Sequence, residues 1–278
     1  FDQAVAGCDL VCHVAASVKL ASAHPQREIV DPAVKGTANV LGAVRRAGTV
    51  KRVVLTSSIA AVFDHTAPRD KVYTEADWNR GSTLKAEPYN LAKTEAEQAA
   101  WKFHASLPEA ERFELVALNP VVVFGPLFTR GHGRSSPAIL RDIMGRAFPA
   151  CPNISLSLVD VRDVALAHAI ALEKPEASGR YILHNDARWM QEAAKMIAPH
   201  FPEYRVPTRR LPDLMMYISS LLDKRISFSW VRRNLGRVYA IDNSKSRREL
   251  GIQYRPLEET LLDTCRSFIE LGLVKPRK

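Results

Sequence analysis

Glycine is scarce where a phosphate cradle would need it. Before position 81 there are only Gly7, Gly36, Gly42 and Gly48, and they form no G-x-x-G-x-x-G-type turn between a strand and a helix. That excludes a glycine-rich pyrophosphate loop within this stretch. Cysteine is scarce too: four residues, at 8, 12, 151 and 265, with no C-x-x-C pair and no zinc spacing. On a strand, Cys8 and Cys12 would stand roughly 13 Å apart, beyond disulfide reach. The pattern argues against a disulfide scaffold and for a reducing, cytoplasmic setting. The eight histidines are scattered, so no metal site is expected. No run of 18 apolar residues occurs, which leaves no membrane span to expect. The first residue is Phe, and no signal peptide is visible.

What is present is ordinary for a globular chain: 278 residues, 46% hydrophobic and 25% charged. That length supports a full core, in one large domain or two intimately joined ones. The formal net charge is +9, with much of the excess between Arg205 and Arg248. It arrives as separated doublets, Arg209-Arg210, Lys224-Arg225, Arg232-Arg233 and Arg247-Arg248, interleaved with apolar residues. A continuous basic arm would suggest nucleic acid; separated doublets do not. Plain solvation is the default, and attraction for an anionic cofactor or substrate is the better functional reading.

The most informative stretch is Pro88-Tyr89-Asn90-Leu91-Ala92-Lys93. It opens a run of good helix formers that Pro108 stops, with Pro88 suited to a first turn. Tyr89 and Lys93, four apart, then rise on one face a turn from each other. A free phenol has a pKa of about 10, and a nearby ammonium favours the phenolate. Such a pair can trade a proton with a carbonyl oxygen while hydride moves at the adjacent carbon. Upstream, Val53 to Leu55 read as a strand buried on both faces, followed by Thr56-Ser57-Ser58. Hydroxyls at a strand's carboxyl end are placed for a site, and one could donate to a substrate carbonyl. They could equally cap the next segment.

Thr56-Ser57-Ser58, Tyr89-x-x-x-Lys93 and Asn119-Pro-Val-Val-Val-Phe-Gly125-Pro126 together resemble an extended short-chain dehydrogenase/reductase of the dihydroflavonol-4-reductase-like branch. The start (FDQAVAGCDLVCHVAA), KTEAEQAAW, VDVRDVALAH, GRYIL and DNSKSRRELG carry the resemblance along most of the chain. It implies an α/β fold: a Rossmann-like, doubly wound parallel sheet whose first strands are missing, with a smaller C-terminal substrate lobe. Residues 1–128 are then a partial dinucleotide-binding domain and 129–278 mainly the substrate lobe, with 156–185 returning to the sheet. Phe1 falls near the end of the family's third helix, so about 60–70 residues, two βαβ units, precede it in the family pattern. Without them this stretch is expected to bind NADPH poorly.

The resemblance also implies a catalytic triad of Ser58, Tyr89 and Lys93, with Ser57 as the fallback serine. Ala15 and Ala16 would lie near the nicotinamide, Thr56, Ser57, Tyr89 and Lys93 beside the cofactor, and Pro120, Val121, Val122 and Val123 along its carboxamide. The expected reaction is reduction of a ketone or aldehyde with hydride from NADP(H), NAD(H) being possible, by a monomer or homodimer acting on a small carbonyl substrate. A nucleotide-sugar epimerase or dehydratase, and a truncated relative without catalysis, are the alternatives. The family's cinnamoyl-CoA signature N-W-Y-C-Y is replaced by Lys85-Ala-Glu-Pro-Tyr89, which argues against that substrate.

Further expectations follow along the chain. Leu10 to Ala16 reads as a buried strand, with His13 a core histidine. Asp31-Pro32 starts a helix with Val34, Thr37, Ala38, Leu41 and Val44 inward, ended by Gly48. Residues 59–85 are loop-like. Thr129 to Ser136 is a polar loop whose Arg130 and Arg134 are the nearest candidates for an anionic ligand. Asp160 and Asp163 are expected to be structural, and Leu211 to Leu222 an amphipathic helix.

Overall fold

A computed structural model describes residues 1–16, 18–222 and 228–276. The chain order is α1 (Asp2–Val5), β1 (Leu10–His13), α2 (Asp31–Ala47), β2 (Arg52–Thr56), β3 (Val72–Tyr73), α3 (Pro88–Ser106), β4 (Glu114–Pro120), β5 (Val122–Phe124), α4 (Ala138–Met144) and β6 (Ser155–Asp160). It continues through α5 (Val161–Glu173), β7 (Gly179–Leu183), β8 (Asp186–Trp189), α6 (Met190–Ile197), α7 (Asp213–Leu222), α8 (Phe228–Asn234), β9 (Ala240–Ile241), α9 (Ser244–Glu249) and α10 (Leu257–Glu270). The chain divides into two compact units, 1–121 with 164–183 and 241–253, and 122–163 with 184–240 and 254–278.

The first unit is a parallel sheet in the order β1-β2-β4-β7 with helical crossovers, the α/β arrangement the sequence predicts. Val53 and Val54 in β2 and Val116 to Leu118 in β4 are fully buried at its centre. β1, expected to be buried, instead exposes Leu10 and Cys12, because only β2 flanks it. α2 begins at Asp31-Pro32 and closes on Gly48, whose φ of 66° is the left-handed turn that glycine accepts. Thr37, Val40, Leu41, Ala43 and Val44 are its buried residues; Ala38, expected inward, faces solvent. A turn of π-helix, Gln26–Val30, feeds directly into it.

α2 and α3 pack on each other, and Ala92 of α3 meets Ile29 and Val30. The segment 59–85 is not wholly irregular: Ile59–Ala61 is a 3₁₀ turn and Val72–Tyr73 a short strand. The Asp242 amide donates to the Tyr73 carbonyl at 2.9 Å, which ties the returning segment 241–253 into this unit. Arg52, buried at the start of β2, donates to the Ala171 and Pro175 carbonyls at 2.9 Å each and so caps the end of α5.

In the second unit β5 and β6 pair in parallel, and β8 runs antiparallel to β6. The stretch 156–185, expected to rejoin the main sheet, therefore splits: β6 belongs to this smaller sheet, and β7 to the larger. Leu140, Ile143, Leu158, Ile197, Leu261 and Phe268 are in its core. Asp160 is fully buried and takes hydrogen bonds from Arg162 and Thr260, each at 2.8 Å. Burial works against its charge, yet those bonds hold its carboxyl below the usual range. Asp163 accepts from the Arg255 amide at 2.9 Å, so both aspartates serve the structure. Arg130 donates to the Leu271 carbonyl at 2.7 Å, which makes it a loop tether. The side chain of Arg134 and the Lys224-Arg225 doublet lie outside the described residues. α7 spans Asp213 to Leu222 and leaves Leu214, Met215, Ile218 and Leu221 exposed. No helix among the described residues is long and apolar enough to cross a membrane.

Candidate active site

β2 ends at Thr56, and the two serines that follow point to different tasks. Ser57 is buried and donates to the Glu97 carboxylate at 2.5 Å. Ser58, half-buried, caps the 3₁₀ turn by accepting from the Ala60 amide at 3.2 Å, and it lies near enough to Tyr89 to draw the phenol's pKa down. Capping and a place in the site are thus not alternatives here. Of the two serines, Ser58 stands beside the phenol, whereas the fallback Ser57 donates to Glu97 and lines the cavity next to Tyr89 and Lys93.

The helix that carries Tyr89 and Lys93 has a fixed start. Glu87 stands at its mouth in the left-handed conformation (φ 65°, ψ 55°), with Pro88 opening the first turn. The Glu87 carboxylate pairs with His65 at 2.7 Å and accepts from the Asn90 side chain at 3.4 Å. Such a conformation costs a non-glycine residue free energy and persists where the surroundings hold it.

Lys93 is 9% exposed and donates to the Thr56 carbonyl at 3.3 Å. Burial brings its ammonium down to about 8, against the pull of Glu97 one turn further on. Burial pushes the Tyr89 phenol up, and Ser58 pulls it part of the way back. The expected acidification of the phenol by Lys93 is therefore not what governs it. The ammonium's field acts instead on His13, whose basicity is lowered first by burial and then by Lys93. His13 is half-buried, not the core histidine expected.

Tyr89, Lys93, Ser57 and His13 border one cavity of about 50 Å³, room for a few waters, while Ser58 is not in its wall. Ala15, Ala16, Thr56, Ser57, Tyr89 and Lys93, all expected beside a cofactor, line it together with His13, Gly36, Thr37 and Glu97. Ala15 and Ala16 are exposed, and their lack of bulk leaves the backbone open to a flat ring. Donors, an ammonium and small side chains suit the nicotinamide end of a dinucleotide. Pro120 to Val123 are not in this wall. Pro120 ends β4, the Val121 amide donates to the Leu183 carbonyl at 3.1 Å, and Val122 and Val123 begin β5 of the second unit.

Sequence reasoning missed the layer behind the site. The Thr56 hydroxyl is 2.6 Å from Nε2 of His168, whose Nδ1 is 2.8 Å from the Val164 carbonyl. Burial lowers the basicity of that imidazole, so Nδ1–H donates to the carbonyl and Nε2 accepts from Thr56. Glu97, an acid four residues past Lys93, was the one legible signal of this layer.

Comparison with known proteins shows the family. The family model of the 3-beta hydroxysteroid dehydrogenase/isomerase family matches residues 1–185. A cinnamoyl-CoA reductase of Medicago truncatula is 34% identical over 277 residues, which cover 97% of this chain and 76% of the relative. An anthocyanidin reductase of Vitis vinifera is 37% identical over 221 residues, covering 75% and 64%. The yeast methylglyoxal/isovaleraldehyde reductase Gre2, solved with NADPH, superposes with a TM-score of 0.78 at 29% identity, over 98% of this chain and 79% of that one. With the strand-end serines, the Tyr-x-x-x-Lys helix and the parallel sheet in their places, the chain belongs to the 3-beta hydroxysteroid dehydrogenase/isomerase family, in the dihydroflavonol-4-reductase-like branch of the extended short-chain dehydrogenases/reductases.

Proposed function

We propose that this protein reduces a ketone or aldehyde to an alcohol, with Ser58, Tyr89 and Lys93 as its catalytic residues and NADPH as its reductant. The observation that carries the reading is that Tyr89 and Lys93, one helical turn apart on α3, line the same cavity at the end of β2, with Ser58 beside the phenol. NADPH is favoured because the Gre2 structure that superposes on this chain contains it. Cinnamoyl-CoA, methylglyoxal and isovaleraldehyde, named for those relatives, share a carbonyl carbon as the hydride acceptor.

A bound nicotinamide would supply the hydride; the chain's residues manage the oxygen. Ser58 donates to the substrate oxygen and steadies the charge that develops there. Tyr89 holds its proton at neutral pH, since burial raises its pKa, and releases it to that oxygen as the alkoxide forms. Lys93, one helical turn along, then stabilises the phenolate left behind. The ammonium matters after the proton leaves, not before.

Tyr89→Phe in the full-length protein is expected to lower kcat for carbonyl reduction by about 10²–10⁴-fold, the range for a positioned general acid, with NADPH affinity nearly unchanged. Steady-state kinetics and a calorimetric NADPH titration check it. Turnover retained by this variant would remove Tyr89 from its role.

A further inference from the structure

Glu97 is 1% exposed, yet it is a carboxylate. Its partners come from four places. Arg180 on β7 donates to Oε1 at 2.6 Å, and Trp101 donates to the same oxygen at 3.2 Å from one turn along α3. Ser57, just past β2, and Asn119, near the end of β4, donate to Oε2 at 2.5 and 2.8 Å. Asn119 also donates to the Ser58 carbonyl at 3.1 Å, so the backbone of that serine hangs on the same cluster. Arg180 is held in turn by the Glu75 and Asp77 carbonyls and stacks on Trp78 at 3.9 Å. A buried charge pair is costly unless it is fully bonded, and this one is; such clusters fix geometry more than they add stability.

We propose that Glu97, with Arg180 as its counter-ion, is a positioning residue: it locks the strand end bearing Ser58 against the helix bearing Tyr89 and Lys93, and holds a negative charge one turn from the Lys93 ammonium. The inference rests on the catalytic reading above. Placement errors of about 1 Å at such a site cost about 10²-fold in rate. The titratable groups around Lys93 are His13 from β1 and Tyr89 and Glu97 from its own helix, with Arg180 behind Glu97. Removing the carboxylate also leaves Arg180 uncompensated, and both changes disfavour the protonated amine.

The test compares Glu97→Gln and Ser57→Ala with the parent in the full-length protein, after melting curves show which variants fold. Glu97→Gln should lower kcat by about 10²-fold and Ser57→Ala by about tenfold, with KM for the carbonyl substrate changed less than about twofold. Labelling of Lys93 by acetic anhydride, read by mass spectrometry across pH, should reach half-maximal rate at lower pH in Glu97→Gln and be at least about threefold faster at pH 7. An unmoved labelling profile or an unchanged kcat in a folded Glu97→Gln overturns the proposal. If that variant does not fold, an unchanged kcat in Ser57→Ala does. Should Tyr89→Phe keep its turnover, the catalytic reading fails, while the labelling shift still reports on Glu97 and Lys93.

Discussion

Lys93 carries a positive charge into a place where burial opposes it. The unfolded chain keeps that proton up to about 10.5 and the folded chain only to about 8, a difference on the order of 3 kcal/mol. Between those values the unfolded state binds more protons, so stability rises with pH there. The penalty is full below about 8 and gone above 10.5. Lys93→Met should therefore melt at a higher temperature than the parent at pH 7, with the gap closing by pH 10.5, and it should lose carbonyl reduction. Melting curves at both pH values check this. The same residue shows what a sequence discloses at this scale. Tyr89 and Lys93 were legible because a helical repeat of four puts them on one face. The partners Arg180 and His168 were not, since each lies 80 or more residues from the group it touches, and no local period encodes such a pairing.

At the scale of the element, α2 followed from its apolar spacing and its glycine stop, and α3 from its run of helix formers between Pro88 and Pro108. The short strand β3 did not, because two residues carry no period. β1 was read as a strand, buried in the family pattern but an uncovered edge where the first strands are missing, and in the stretch 1–278 Leu10 and Val14 are indeed exposed. Close packing at element junctions supplies a sharper test. Gly125 closes β5 with a φ of 129°, and a Cβ there would meet Cγ1 of Val161 at 2.7 Å and Oδ1 of Asp160 at 3.2 Å. Its amide also donates to the Thr264 hydroxyl oxygen at 2.7 Å. Gly125→Ala is expected to lose about 1–3 kcal/mol, part backbone strain and part crowding, and urea denaturation would read the loss.

At the scale of the whole stretch 1–278, β1 forms an edge of the four-stranded sheet. Leu10 is 43% and Val14 56% accessible, beside a ladder paired only to β2. Unpaired strand edges with apolar side chains template self-association, and lysine blunts them. In a chain made as residues 1–278, Leu10→Lys should reduce light scattering on storage while changing stability by less than about 0.5 kcal/mol. Connectivity has a separate consequence. The polypeptide passes between its two units at 121/122, 163/164, 183/184, 240/241 and 253/254. One cut cannot separate them: a piece ending at 121 forfeits β7, and with it Arg180, the counter-ion of Glu97. Anyone hoping to exchange the second unit by grafting would have to transplant three segments together, so recombination at a single junction cannot move it.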